Sequence, residues 1–451
     1  MRWTGDLDVP RSGASDTGGL RSPSVTHWAG TRALMDPVCS TKTEMVDPLR
    51  PPDVPSSSGR SRTLPALSRH LRAPRRWRGG PAWLVMIANV DAASILTALA
   101  SGASYRYDLI WFLAALTVPL FFIQEASGRL GAVSGKGLGQ LARERYPPRV
   151  ASTVAISMAA GDVATYVAEY AGIALGLSLF GIPPIISLPM AFLAHIALVA
   201  RGPYAWVERV LIGISAGVVV SLAVVVLHRG LLSYSPIGVS ADPTFFLLLA
   251  ANTGAVVMPF MLFFQSSATA AKRTSVAISR QSTFLGAIVS ELLMIIVVMI
   301  GAGLGGSFSF GSGASFASAL TSGLGQYGAY VLGVGLVAAA FLALVVISLG
   351  SAWGVREALG LSPKSTIWIY AGESIPAVLV PLLFPQLVTL VLALMVAMVF
   401  ILIVPGIFVG TLTSDSRVMG SEASRGFWRG AFWASLGFVV SVGILAVIIY
   451  G

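Results

Sequence analysis

Asn252-Thr-Gly-Ala-Val-Val-Met-Pro-Phe-Met261 lies in the middle of an apolar stretch that continues on both sides, with Gly254 and Pro259 at its centre. Proline has no N–H to offer a helix and its ring clashes with the preceding turn, so carbonyls near Ala255 lose their helical partners and can face a ligand. Met258, directly before that proline, adds a thioether, a soft donor that suits transition metals better than Mg(II) or Ca(II). Most methionines in apolar helices only fill space, so the thioether gains meaning from the break beside it. The stretch reads as a helix interrupted at membrane depth.

Ten further stretches of this kind surround it. From Pro81 onward, eleven apolar runs reach the about 20 residues that a helix needs to cross a bilayer, centred near Val90, Thr117, Tyr166, Pro189, Val218, Ala255, Met294, Leu336, Ala377, Met395 and Phe438. The ninth and tenth are parted only by a short turn containing Pro381 and Pro385. The composition agrees, with 55 % hydrophobic and 11 % charged residues in a chain of 451. A soluble domain carries about a quarter charged residues, so a water-soluble enzyme is excluded. The expected fold is an all-α integral membrane protein of eleven transmembrane helices. That number admits a five-plus-five inverted repeat of the leucine-transporter type with one additional helix, the plan in which discontinuous helices 1 and 6 form a midplane site.

Residues 1–79 differ from the rest. They are rich in Ser, Pro, Gly and Arg, lack apolar periodicity and end in a basic run from Arg69 to Arg78, which reads as a disordered basic cytoplasmic tail. Met35 and Met45 leave a later start open, and 80–451 is expected to form the transmembrane transporter domain. Much of the net charge of +10 sits in this tail and the remainder in loops, so no nucleic-acid face is implied. The single cysteine, Cys39, allows neither an internal disulfide nor a cysteine metal cluster.

The basic residues orient the bundle. With the N-terminus in the cytoplasm, the inner connections hold Arg129, Lys136, Arg143, Lys272, Arg280, Arg417 and others, whereas the outer ones hold only Arg106 and Arg229. The positive-inside rule then puts the N-terminus inside, the C-terminus outside and the chain in the plasma (inner) membrane.

Ionisable side chains at membrane depth are costly and mark functional sites by default. Asp91, in Ile87-Ala-Asn-Val-Asp-Ala-Ala-Ser94, lies well inside the first span with Asn89 and Ser94 beside it, a setting that suits a cation. Asp162, Tyr166 and Glu169 are spaced to share one face of the third span, either as a proton relay or water path or simply as hydrogen-bonding groups between helices. Glu291 lies within the seventh span, and Glu125, His195 and Glu373 are read as nearer span ends. No enzyme constellation stands out: there are four histidines, no His-Glu-x-x-His, and no glycine-rich loop opening on a strand.

Several ordered motifs resemble the NRAMP (natural resistance-associated macrophage protein) family of divalent metal transporters. Asp91-Ala-Ala-Ser94 occupies the place of that family's Asp-Pro-Gly-Asn motif. Arg129-Leu-Gly-Ala-Val-Ser-Gly-Lys136 is similar to its Arg-Leu-Gly-X-Val-Thr-Gly-Lys pattern, and Ala164-Thr-Tyr-Val-Ala-Glu169 to its Ala-Thr-Asp-Leu-X-Glu motif. Met258-Pro-Phe-Met261 looks like its Met-Pro-His-Asn. By this resemblance the metal ligands are Asp91, Ser94 in place of Asn, the Ala255 carbonyl and Met258. Asp162, Tyr166, Glu169 and Phe260 line the site or its proton pathway. Tyr166 and Phe260 replace the family's proton-associated Asp and His, so coupling is expected to be reduced or absent. Ala92-Ala93 replaces Pro-Gly, and alanine favours helix, which weighs against an opening of the first span.

The expected function is therefore import of divalent metal, Mn(II) or Fe(II) favoured, by alternating access. The metal is substrate, with no cofactor; the lipid bilayer is the other partner expected, and the sequence gives no oligomeric state. The rivals are a magnesium transporter of the NRAMP-related branch, an organic-solute transporter on the same fold, and a receptor or scaffold that has lost its site.

Overall fold

The computed structural model describes residues 81–201, 213, 217, 220–225, 233–305, 313–362 and 365–450. The tail, Cys39, Arg229 and most of the fifth expected span around Val218 lie outside them. Every regular element among the described residues is helical.

The chain begins with α1 (Pro81–Ala88) and α2 (Ala92–Tyr105), which meet at an angle of 49° across a three-residue break. Next come α3 (Ile110–Ser134), the short α4 (Leu138–Arg145), α5 (Pro148–Ser178) and α6 (Pro184–Arg201). Beyond the partly described fifth region follow α7 (Pro243–Val256) and α8 (Pro259–Ala271), then α9 (Val276–Ala302) and α10 (Gly313–Leu359). Gly325 bends α10 with a positive φ of 74°, a conformation glycine adopts without a Cβ clash. The remainder is α11 (Thr366–Leu383), α12 (Leu387–Ile401), α13 (Ile403–Ser414), α14 (Ser416–Met419) and α15 (Gly426–Tyr450).

Eight of these segments are long and apolar enough to cross a membrane, nine when α1 and α2 count as one bent span. The fourth expected span, α6, is a shorter apolar helix, so eleven spans are not all accounted for among the described residues. Pro381 sits inside α11 rather than in the turn after it, which runs through Phe384, Pro385 and Gln386. Such a proline is tolerated because neighbouring helices serve the backbone groups it frees.

Burial sorts the helices. In its most apolar 18-residue stretch, 89 % of the α7–α8 segment is buried against 33 % for α15, so the interrupted helix is central and α15 is peripheral. Gly254 sets how closely the centre packs: a Cβ there would collide with the Met395 carbonyl oxygen of α12. Gly172 does the same on the other side, since a Cβ on it would collide with that of Ala92 at the start of α2. Small residues at such crossings let backbones approach where no hydrophobic driving force separates lipid from protein.

Candidate metal site

Both helices that carry the sequence-derived ligands are interrupted, and each interruption has a local cause. In the central segment, the Ala255 carbonyl would normally accept from the N–H four residues on, which is Pro259 and has none. The chain leaves the helix at Val257 and Met258, both extended, and Pro259 restarts it at the first position of α8. In the first span the opening falls at Asn89–Asp91. Ala92 and Ala93 therefore do not hold the span closed, as their helix propensity suggests, but begin its second half. Asp91 caps that start: its Oδ1 accepts the Ser94 N–H at 2.7 Å, a cap of the kind worth about 1 kcal/mol.

The two openings adjoin each other. Ser94 Oγ donates to the Ala255 carbonyl at 3.3 Å, joining a residue of one break to a residue of the other across 161 positions. Asp91 and Met258 are fully buried, and Ser94 and Ala255 are each 1 % exposed. Asp91 Oδ2 has no hydrogen-bond partner. A free carboxylate oxygen, a hydroxyl, a backbone carbonyl and a thioether are thus contributed by two helix openings. No group of three or more His, Cys, Asp and Glu side chains among the described residues offers a denser set. Such a mixed set can neutralise part of a divalent charge with one carboxylate and add a soft contact.

The residues of the third-span stripe share burial but not partners. Glu169 turns to the start of α2, where Oε2 and Oε1 accept the Ala92 and Ala93 N–H groups at 3.1 and 3.4 Å. These N–H groups have no partner inside their own helix, and a carboxylate suits the positive end of the helix dipole. Tyr166 Oη is hydrogen-bonded to Ser348 Oγ of α10 at 2.7 Å. Asp162 lies instead within electrostatic reach of Ser351 of α10 and Glu373 of α11. Phe260 is buried in the first turn of α8, next to Gly350 of α10, and its ring has no proton to pass.

Three polar arrangements were not legible in the sequence. His195, in the second half of α6, is completely buried, with Nε2 on Ser348 Oγ at 2.7 Å and Nδ1 on Tyr170 Oη at 3.0 Å. Glu373 is mid-helix, and both its oxygens accept from Ser351 Oγ, at 2.8 and 2.7 Å. Glu125, also buried, accepts from Arg129 at 3.0 Å and pairs with Arg280 at 2.8 Å. Arg129 donates further to the Glu422 carbonyl and to Ser424 Oγ, and Arg280 lies over the Trp428 ring. A lone histidine or serine in an apolar run is the only sequence signal for such groups, and it names no partner. Glu291 is buried with neither oxygen hydrogen-bonded.

The family model described as Nramp, natural resistance-associated macrophage protein-like, matches residues 82–449. The divalent metal cation transporter MntH of Bacillus subtilis (strain 168) is 32 % identical over 202 residues, which is 42 % of this chain and 47 % of that protein. MntH of Acidiphilium cryptum (strain JF-5) is 29 % identical over 238 residues, 49 % of this chain and 54 % of that one. The chain thus spans about half the length of the curated relatives it matches. Among solved structures, the Eremococcus coleocola manganese transporter, crystallised with an aromatic bis-isothiourea compound, is similar with a TM-score of 0.65 at 19 % identity, over 82 % of this chain and 85 % of that one. MhsT in complex with L-phenylalanine is similar with a TM-score of 0.58 at 14 % identity, over 83 % and 98 % of the two chains. At these identities the structures speak for a shared fold. The family match, by contrast, runs from the first bent helix to the end of α15, and on it the chain belongs to the Nramp family.

Proposed function

We propose that this protein is a secondary transporter that imports divalent metal ions, with Mn(II) or Fe(II) preferred to Mg(II), by alternating access around the paired openings. The observation that carries the reading is the Ser94–Ala255 contact, because it joins the two breaks that hold Asp91 and Met258. Asp91 supplies charge, Met258 softness, and Ser94 with the Ala255 carbonyl adds hard oxygen. The curated relatives named divalent metal cation transporters support the substrate class.

Eleven membrane helices, arranged as a five-plus-five inverted repeat with one extra helix, are part of this reading. The shared fold supports it, as does the placement of both breaks in the first and sixth apolar stretches. The basic residues of the inner connections favour a plasma-membrane orientation with the N-terminus inside and the C-terminus outside. Coupling to protons is reduced or absent in this proposal, since Tyr166 and Phe260 supply neither carboxylate nor imidazole at the positions the family resemblance associates with proton movement.

An organic-solute transporter is the second reading, favoured by the apolar Phe260 and Met261 beside the opening. Glu169 weighs against a carboxylate-bearing solute, because it already occupies the free N–H groups at the start of α2. Reconstituted in liposomes, the wild-type chain should take up Mn(II) faster than Mg(II), and Asp91→Ala should take up neither. Absence of uptake of both ions by the wild type, together with thermal protection by an organic solute, would overturn the metal reading in favour of the second.

A further inference from the structure

Asp162 of α5 and Glu373 of α11 lie within electrostatic reach of each other, beside Ser351 of α10. Asp162 is fully buried, and neither of its carboxylate oxygens has a hydrogen-bond partner. Glu373 is 6 % exposed, and both its oxygens are held by the single hydroxyl of Ser351, itself fully buried. The groups acting on Asp162 are Glu373 and Ser351, and no basic side chain is among those acting on either carboxylate. The imidazole of His195 is committed to Ser348 and Tyr170.

This is an unbalanced arrangement. Two buried carboxylates in a low-dielectric interior repel each other, and a buried charge persists only when paired or ligated. One proton shared between the two carboxylates would still leave a negative charge, and no basic side chain acts on either of them to balance it. A cation placed between the two side chains serves both at once, and Ser351 Oγ keeps a lone pair free to join it after donating its proton to Glu373. The donor set is entirely oxygen, which selects a hard ion and sets this place apart from the thioether-bearing opening. Mg(II) needs an octahedral set and Ca(II) about six to eight oxygens, whereas the carboxylates and one hydroxyl offer five.

We infer that Asp162, Ser351 and Glu373 form a second cation site, for a small monovalent metal ion with sodium as its first candidate, distinct from the divalent site at the helix openings. The ion would tie α5, α10 and α11 together, and its binding would stabilise the arrangement in which Asp162 faces Glu373.

The test is the thermal unfolding of the purified full chain in detergent, in NaCl against N-methyl-D-glucamine chloride at equal ionic strength and pH. NaCl should raise the midpoint of the wild type by several degrees. That shift should vanish in Asp162→Asn and Glu373→Gln and shrink in Ser351→Ala. Equal midpoints of the wild type in the two salts overturn the proposal. A sodium shift that survives in both Glu373→Gln and Ser351→Ala overturns it as well, because the ion then binds elsewhere. Stabilisation by acid alone, identical in both salts and lost in Glu373→Gln, would assign the pair to a shared proton and overturn the metal-ion reading. If Asp162→Asn does not fold, the wild type, Glu373→Gln and Ser351→Ala decide the outcome. A parallel titration with Mn(II) separates the two sites. Asp91→Ala should lose the Mn(II) shift and keep the sodium shift, and Glu373→Gln should do the reverse.

Discussion

Glu169 of α5 holds the open start of α2, accepting the Ala92 N–H at 3.1 Å and the Ala93 N–H at 3.4 Å. The second half of the first span, which ends at Tyr105, is thereby anchored to a helix that begins only at Pro148. A helix start exposed inside a membrane protein leaves N–H groups that must find an acceptor, and here the acceptor is part of the chain. The break beside Asp91 is therefore a stable feature of the fold.

Replacing Glu169 tests that anchor. Glu169→Gln keeps one acceptor but loses the charge, and charge-assisted hydrogen bonds are about twice as strong as neutral ones. A loss of about 1 to 2 kcal/mol is expected. Glu169→Ala should cost more, because both N–H groups are then orphaned. Thermal unfolding in detergent measures both, and wild-type stability in Glu169→Ala would show that the anchor contributes nothing.

Met258 tests the softness of the site. Met258→Ala removes the only sulfur donor among the four candidate ligands, while Asp91, Ser94 and the Ala255 carbonyl remain. Mn(II) affinity should fall about tenfold, or about 1.4 kcal/mol, with a smaller change for Mg(II). Competition uptake in liposomes reads the ratio, and an equal loss for both ions would reduce Met258 to a packing residue.

The ionic cluster around Glu125 tests a different part of the fold. Arg129 is 4 % exposed and Glu125 2 % exposed, so removing one partner strands a buried charge. Glu125→Gln should cost about 3 kcal/mol or more, and Arg280, at 36 % exposure, should contribute little to that loss because water screens it. Arg280→Ala alone should accordingly be mild. Unfolding midpoints of the two variants in the opposite order would contradict the assignment of Arg129 as the principal partner.

Gly254 tests the central crossing. Its α carbon lies so close to the Met395 carbonyl that even a methyl group would collide with it. Gly254→Ala should push α7 and α12 apart at a cost of about 1 to 3 kcal/mol, and Gly254→Leu should yield little monodisperse protein on size exclusion. Normal yield and stability of the leucine variant would mean that the crossing adjusts freely.

Much of the architecture was legible because its causes are local. Apolar length marked the spans, Pro259 marked the central break, and the ordered motifs from Asp91 to Met261 pointed to the family that the match over residues 82–449 bears out. The opening of the first span was harder to place, because Ala92 and Ala93 are good helix formers. They are helical, and the break lies one residue earlier, where Asp91 adopts the extended cap conformation. The stripe of Asp162, Tyr166 and Glu169 was also legible, but its three side chains have three different sets of partners.

What the sequence by itself determined are effects that act within a turn or two: helix length, the missing N–H of Pro259 and the donor types near each break. Only the tertiary structure decided that Glu169 serves the start of α2, that Tyr166 meets Ser348 across 182 positions, that Ser94 reaches Ala255, and that Asp162 comes within electrostatic reach of Glu373. Helix propensity and proline sterics are properties of neighbouring residues. The partner of a buried polar group depends on which helices pack side by side, and in an apolar bundle that choice rests on shape at crossings such as Gly254 against Met395 and Gly172 against Ala92.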